Sequence, residues 1–496
     1  MQYISTRDKS KKVEAAVAIS SGISPEGGLF VPEYLPELSA DDFLKLKKLD
    51  YIGRAEYVLK YFLTDFTDDE IKYCVKGAYT GSFDNEAPAP LKELEKGFDI
   101  LELWHGPTCA FKDLALQLLP YLLTTSAKKV SKGKKIVILV ATSGDTGKAA
   151  LEGFKDVEGT EILVFYPSDG VSPMQKLQMD SQQGENVNVC AIRGNFDDAQ
   201  SGVKRIFTDA SVKAELSKNN MQFSSANSIN WGRLVPQIIY YISAYCDMLN
   251  RGDDLSDGFN IVVPTGNFGN ILAAYYAKRM GVPVNRLVCA SNANNVLTDF
   301  IRTGTYDRNR KFHTTISPSM DILISSNLER MLFELCGCDD KTVASLQESL
   351  SKIGKFTVPT EVCDAFGKLF YGGCCDDEQT LATIKDIYER YGYLCDTHTA
   401  VAVNVAEQYR QDTGDNSPML IASTASPYKF AKSVLGAVSN KGADSEFEYV
   451  RLLNSETGTD IPSPIAALEN AQVRFKNVCD KDKMLEQVYA ALGIKM

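Results

Sequence analysis

Histidine is nearly missing from this chain: 496 residues hold three, at positions 105, 313 and 398. So scattered a set excludes a histidine-rich metal centre legible from spacing. The twelve cysteines do not restore one. Cys336-Gly337-Cys338 and Cys374-Cys375 are not CxxC pairs, and neither has a histidine near it in sequence. In a reducing compartment these thiols are expected to be buried or free. No stretch approaches the roughly eighteen consecutive apolar residues of a membrane span, so no transmembrane helix is expected. The start, Met1-Gln2-Tyr3-Ile4-Ser5-Thr6-Arg7-Asp8, lacks the apolar core of a signal peptide. The chain is therefore expected to be cytoplasmic.

Basic charge is also in the minority. Lys and Arg number 53 against 64 Asp and Glu, a net charge of -11. That disfavours nonspecific nucleic-acid binding, which needs basic patches. The basic run over 128–135 is short, precedes an apolar strand and reads as a solvated helix end and turn. Hydrophobic residues at 44% and charged residues at 24% are ordinary for a globular protein. The length predicts two or three packed units.

Residues 1–90 have their own character. A short strand at Tyr3-Ile4-Ser5-Thr6-Arg7 and a turn at Pro25-Glu26-Gly27-Gly28 are followed by helical patterns, with Thr67 capping a helix whose first turn is acidic. The segment 86–90, with two prolines, reads as a boundary. Beyond it, continuous apolar runs at 136–140, 161–166, 187–192, 260–263, 286–290 and 419–422 alternate with amphipathic helices. Such runs predict strands buried on both faces of a largely parallel sheet covered by helices. A smaller α/β subdomain is expected at about 136–225 and a helical elaboration at about 300–390, within one core spanning 91–496.

The chemistry centres on Lys112, in Trp104-His105-Gly106-Pro107-Thr108-Cys109-Ala110-Phe111-Lys112-Asp113. It follows a Gly-Pro turn and opens an apolar helix. A lysine among apolar neighbours loses hydration, so its free amine, the nucleophile of a Schiff base, becomes accessible. Snorkelling at a surface helix start is the plain alternative. Several strands end in small, polar turns, the place where open α/β sheets bind ligands. Thr142-Ser143-Gly144-Asp145-Thr146-Gly147 combines hydroxyls with a helix start, fit for an anion or simply a cap. Gly266-Asn267-Phe268-Gly269-Asn270 lets backbone wrap a phosphate at a helix N-terminus. Ser423-Thr424-Ala425-Ser426-Pro427 puts hydroxyls at a third strand end. Ser225-Ala226-Asn227-Ser228-Ile229-Asn230-Trp231-Gly232-Arg233 gathers amide, hydroxyl and guanidinium donors suited to phosphate or carboxylate. One desolvated lysine with separate anion cradles fits pyridoxal phosphate with a second anion beside it.

These motifs, with Tyr3-Ile4-Ser5-Thr6-Arg7, Gly27-Gly28-Leu29-Phe30-Val31-Pro32 and Asp396-Thr397-His398-Thr399-Ala400-Val401, resemble the threonine synthase family in its longer fungal and bacterial form. The resemblance implies the α/β, tryptophan-synthase-β-like fold of pyridoxal-phosphate enzymes (fold type II), with large and small α/β domains plus a mainly helical N-terminal segment. It implies conversion of O-phospho-L-homoserine and water to L-threonine and phosphate, a carbon–oxygen lyase reaction closing threonine biosynthesis. Lys112 would carry the Schiff base and move protons. Gly266, Asn267, Phe268, Gly269 and Asn270 would hold the cofactor phosphate, and Thr424 the pyridine nitrogen. Ser143, Thr146, Asn227, Ser228 and Arg233 would serve the substrate's phosphate and carboxylate. Two departures concern neighbouring detail: Thr397 stands where the family often has proline, and Ser426-Pro427-Tyr428 where it often has His-Pro-Ala. Rival readings are a threonine-synthase-like phospholyase acting on a phosphorylated amino alcohol or amino acid, an amino-acid dehydratase, and a noncatalytic metabolite-binding protein. Neither a nucleic-acid nor a membrane partner is expected. Monomer and homodimer both remain open.

Overall fold

The computed structural model describes every residue except 86, 132, 170 and 496, and the side chain of Asp197. The boundary expected at 86–90 and the basic run at 128–135 thus each include one residue outside the described set.

The first eighty residues form a small unit around Tyr3. Tyr3–Ser5 pairs antiparallel with Asp8–Val13 on one side and with Phe30–Pro32 on the other. The helix Tyr51–Phe62 starts at Asp50, whose carboxylate accepts from Gly53 N. It buries Tyr51, Ala55, Val58, Leu59 and Phe62, spaced three or four apart to form one stripe. Thr67 and Glu70 form a reciprocal capping box for Asp68–Tyr79. The Tyr3 and Phe62 rings lie 5.3 and 5.7 Å from that of Trp231. Trp231 opens the 21-residue helix Trp231–Arg251, so this unit is packed directly against the element that will carry Arg233. Burial of such large side chains contributes about 1.5–3 kcal/mol each.

Two large sheets make most of the rest, with a two-stranded antiparallel ribbon of Thr305–Asp307 and Lys355–Thr357 inside the stretch expected to be helical. The larger has the order Phe370–Cys374, Val284–Ser291, Phe259–Pro264, Met419–Ser423, Phe98–Glu102, Leu91–Glu95. Its strands run parallel except the last, which forms a hairpin with its neighbour. The smaller is parallel throughout: Val478–Asp480, Val187–Arg193, Thr160–Pro167, Lys135–Ala141, Met221–Ser224. All eight residues of Thr160–Pro167 are buried, as a strand covered on both faces requires.

Two parts of the chain join these sheets from unexpected places. Phe370–Cys374 is an edge of the larger sheet, although its surroundings read as helical. Val478–Asp480 returns from near the C-terminus to edge the smaller sheet. Short edge strands leave little periodicity to read. Among the described residues no helix is long and apolar enough to cross a membrane. No group of three or more His, Cys, Asp or Glu among them is placed to hold a metal ion. The twelve cysteines are unpaired thiols.

Candidate active site

Lys112 is aimed by a turn that its neighbours force. After Phe98–Glu102 the chain reverses through Gly106 and through Cys109, whose φ of 55° is left-handed. Asp113 folds back over the turn and accepts from Thr108 N at 2.9 Å and Thr108 Oγ1 at 2.6 Å. A Cβ at residue 106 would sit 2.5 Å from Asp113 Cβ, so only glycine fits there. The turn is stitched to the end of Met419–Ser423. Leu103 N donates to Ser423 O and Phe111 N to Thr424 O, both at 2.9 Å, while Ser426 N donates to Cys109 O at 3.1 Å. Lys112 therefore opens the helix Lys112–Leu116 beside Thr424, and two motifs three hundred residues apart share one site.

The electrostatics make the amine easier to deprotonate. Burial pushes Lys112 below the ordinary lysine value; Asp145 opposes this, while Lys429 and Arg233 add to it. The Lys112 Nζ lies 3.6 Å from Asp145 Oδ2 and 4.8 Å from the centre of the Phe111 ring. Burial pushes Asp145 up, but Lys429 and then Lys112 overcome it and hold this carboxyl well below the usual range. Asp113 behaves differently: burial lifts it to about 6 against the bonds from Thr108.

The Gly-rich turn joins Phe259–Pro264 to the helix Gly269–Arg279. Its left-handed residue is Phe268, with φ of 62°, and neither glycine. The Phe268 ring is anchored 5.5 Å from that of Phe370, which holds the strained residue in place. Gly266 is small because a Cβ there would come 2.8 Å from Ser319 O. Ser325 Oγ donates to Gly266 O at 2.8 Å and Asn327 N to Asn267 O at 3.0 Å. The Asn267 side chain is exposed. Asn270 is clamped: its Oδ1 accepts from Tyr240 at 2.8 Å and also from Tyr241, while its buried Nδ2 has no partner among the described residues.

The remaining donors come from both sheets. In 142–147 the turn before the helix is tied by Thr142, whose Oγ1 accepts from Gly144 N at 3.0 Å and Gly147 N at 2.9 Å. Ser143 and Thr146 lie in this segment and are half-buried. In 225–233 the cap is Asn230, whose Oδ1 accepts from Gly232 N at 2.9 Å. Ser228 Oγ accepts from Asn327 Nδ2 at 3.1 Å, and the buried Asn227 Oδ1 is unpartnered among the described residues. Arg233 is 2% exposed and its Nη1 donates to Ala226 O at 2.5 Å. Its Nε has no partner among the described residues. Burial lowers this guanidinium to about 10, and no carboxylate forms an ion pair with it among the described residues. A buried cation lacking an anion is the electrostatic form of an anion site.

Several residues here were not marked as site residues by the sequence. Asp145 sits inside a motif that was read for its hydroxyls. Lys429 lies just past the 423–427 turn, is 0% exposed and donates to Asp145 Oδ1 at 2.6 Å. His398 Nδ1 pairs with Asp396 Oδ2 at 2.7 Å and its Nε2 accepts from Ser319 N at 3.1 Å, fixing the segment that covers Gly266. Arg330 is buried and spans Phe30 O, Ser228 O and Ile229 O, tying the N-terminal unit to the 225–233 loop. At the two departures, the Thr397 hydroxyl is buried and unpartnered among the described residues, and Ser426 Oγ accepts from Tyr428 N at 3.3 Å. A charged residue beside a motif gives no sign of its partner in sequence; only a search for buried-type Asp–Lys pairings across motifs would have raised 145 and 429.

Comparison with known proteins finds three matching families along the chain. Residues 2–79 match the sequence family described as threonine synthase N terminus, residues 85–424 that of pyridoxal-phosphate dependent enzymes, and residues 399–489 that of threonine synthase, C-terminal. Human threonine synthase-like 1 is 40% identical over 458 residues, covering 88% of this chain and 61% of that protein. The chain thus spans less than two thirds of that relative's length. The threonine synthase of Pseudomonas aeruginosa is 39% identical over 435 residues, covering 88% of this chain and 90% of that one. A crystal structure of pyridoxal-phosphate-bound threonine synthase from Brucella melitensis superimposes with a TM-score of 0.87 at 35% identity, covering 100% of each chain.

Proposed function

The chain belongs to the threonine synthase family of pyridoxal-phosphate-dependent, fold-type-II enzymes, and on that premise we propose that it converts O-phospho-L-homoserine and water to L-threonine and inorganic phosphate. The observation that carries this reading is the pairing of Lys112, a half-buried amine 3.6 Å from Asp145 and depressed by its surroundings, with Arg233, a buried guanidinium lacking a carboxylate among the described residues. The first suits a cofactor aldehyde, the second a phosphorylated substrate.

The residues present fit the cofactor. The backbone of Gly266–Asn270, the start of an eleven-residue helix and the unpartnered Asn270 Nδ2 form a cradle for its phosphate. Thr424, held to Phe111 by its carbonyl, offers a neutral hydroxyl for the ring nitrogen. When bound, pyridoxal phosphate supplies an electron sink for negative charge at the substrate carbons.

The side chains of the chain do the rest. Lys112 Nζ, once free of the cofactor, takes and returns protons at the substrate carbons, a task its lowered basicity suits. Arg233, with Asn227 and Ser228, binds the substrate phosphate and keeps it in place as the carbon–oxygen bond breaks; Ser143 and Thr146, after a strand of the smaller sheet, receive the carboxylate. We further propose residues 1–90 as an N-terminal unit, and 91–496 as the catalytic core with a smaller α/β subdomain at about 136–225 and an elaboration at about 300–390.

The test is product analysis. Purified protein with pyridoxal phosphate and phosphohomoserine should yield threonine and phosphate in equal amounts. Ammonia and a keto acid in place of threonine would establish a phospholyase.

A further inference from the structure

One buried cation has no part in that reading. Lys429 is 0% exposed, donates to Asp145 Oδ1 at 2.6 Å, and donates again to Thr108 O at 3.0 Å. Asp145 also faces Lys112, whose Nζ lies 3.6 Å from Oδ2. Two neutral donors complete the carboxylate: Gln175 Nε2 at 2.9 Å on Oδ1 and Ser319 Oγ at 3.0 Å on Oδ2. One carboxylate thus stands between two lysines, and it can balance the charge of only one.

Which lysine carries that charge decides whether Lys112 works. A buried carboxylate left alone with Lys112 would hold it as ammonium, which is no nucleophile. Lys429 is 1 Å closer to Asp145, and its second bond, to the very turn that aims Lys112, fixes it there. We propose that Lys429 is a positioning residue: as the fixed counter-ion of Asp145, it releases Lys112 to be the neutral amine that bonds the cofactor.

This rests on the reading of Lys112 as the cofactor lysine. The charged groups facing Lys112 are few. Asp145 comes from the helix Asp145–Phe154, Lys429 from the 3-10 turn Pro427–Phe430, and Arg233 from the long helix; Asp113, next in sequence, is occupied by Thr108. Removing Lys429 acts twice in one direction. It deletes a like charge near Lys112 and gives Asp145 to Lys112 alone, and both make Lys112 more basic.

The experiment uses the full-length chain as wild type, K429M, K429R, D145N and the K429M/D145N double variant. Competitive acetylation of the cofactor-stripped protein, read by mass spectrometry on the Lys112 peptide, gives the pH at which that amine becomes reactive. The rate at which the visible band grows on adding pyridoxal phosphate, followed across pH, gives the same inflection independently. In K429M the inflection should move to alkaline pH by about one to two units, with reactivity near pH 7.5 roughly tenfold lower or more. K429R should retain the wild-type profile. The double variant should recover most of the loss, because the carboxylate that claimed Lys112 is gone. D145N alone should move the inflection to acid pH, and this holds even if K429M does not fold. An unchanged inflection in K429M, a double variant no better than K429M, or a D145N profile that is unmoved or alkaline would overturn the proposal. Wild-type protein that forms no visible band would count against the cofactor reading, a separate failure that the acetylation profiles would leave distinguishable.

Discussion

Replacing Arg233 with methionine should move stability and function in opposite directions. The guanidinium is 2% exposed, donates one bond to Ala226 O and is lowered to about 10 by burial. A shift of that size corresponds to roughly 3 kcal/mol of unfavourable desolvation in the anion-free protein. Methionine keeps the stem volume, removes that cost and gives up one hydrogen bond of about 1–3 kcal/mol. Without an anion, the variant should be as stable as wild type or more so. Each charge-assisted bond lost to a substrate phosphate should cost about 1.5–3 kcal/mol, a tenfold to roughly hundredfold fall in kcat/KM.

Two assays separate this from a structural role. Thermal melting with and without inorganic phosphate comes first. Wild type should gain about 2.7 kcal/mol when phosphate reaches a hundred times its Kd, and the variant should gain nothing. Titration with pyridoxal phosphate by absorbance comes second, and both proteins should bind it alike. If R233M melts well below wild type in plain buffer and loses cofactor in proportion to substrate, the side chain merely pins residues 225–233 and the anion-site argument is wrong.

Three further outcomes are expected. Lys112→Ala should abolish turnover and the visible band while the protein stays folded, since the amine that would bond the cofactor is removed and its desolvation with it; a borohydride-reduced pyridoxyl group found on another lysine would refute the assignment. Gly266→Val should weaken pyridoxal phosphate binding at least tenfold while the protein stays folded, because a Cβ would meet Ser319 O at 2.8 Å and displace the covering segment; unchanged affinity by absorbance titration would put the cradle elsewhere. His105 should act as a pH-sensitive clasp: burial lowers it, but Glu102 at 3.0 Å and Asp84 at 2.7 Å together raise it above the ordinary value. Its stabilisation is complete below the unfolded value of about 6.5 and fades as pH rises through the higher folded value. The melting difference between wild type and His105→Gln should therefore be larger at pH 6 than at pH 9. Its size should be about 1 kcal/mol, because Asp84 is 42% exposed and screened.

What the sequence disclosed was whatever a local pattern can carry. Runs such as 136–140 and 161–166 appear as Lys135–Ala141 and Thr160–Pro167 because a strand buried on both faces must be apolar at every position. Thr67 was legible as a cap because capping is settled within four residues. Phe370–Cys374 and Val478–Asp480 were not, being short edge strands whose partners lie far along the chain. The glycines of 266–270 were read as the flexible residues of the loop, yet the left-handed residue is Phe268, paid for by packing on Phe370 that no local rule reveals.

The same distinction explains the site. Lys112, the Gly-rich turn and Thr424 stood out as candidates because each follows a strand and has residue types that are odd for structure alone. Their mutual arrangement depends on bonds that cross the chain, such as Phe111 N to Thr424 O. Charge compensation is the extreme case. Asp145 is an ordinary first-turn acid by its sequence, and Lys429 an ordinary basic residue. Only in the fold are both buried and 2.6 Å apart, with Lys112 3.6 Å from the same carboxylate. A lysine made nucleophilic by its surroundings therefore cannot be judged from its own neighbours in sequence. The decisive charges come from the end of a strand in the smaller sheet and from the turn after the central strand of the larger one. On the proposal made above, the amine owes its reactivity to the meeting of those two sheets.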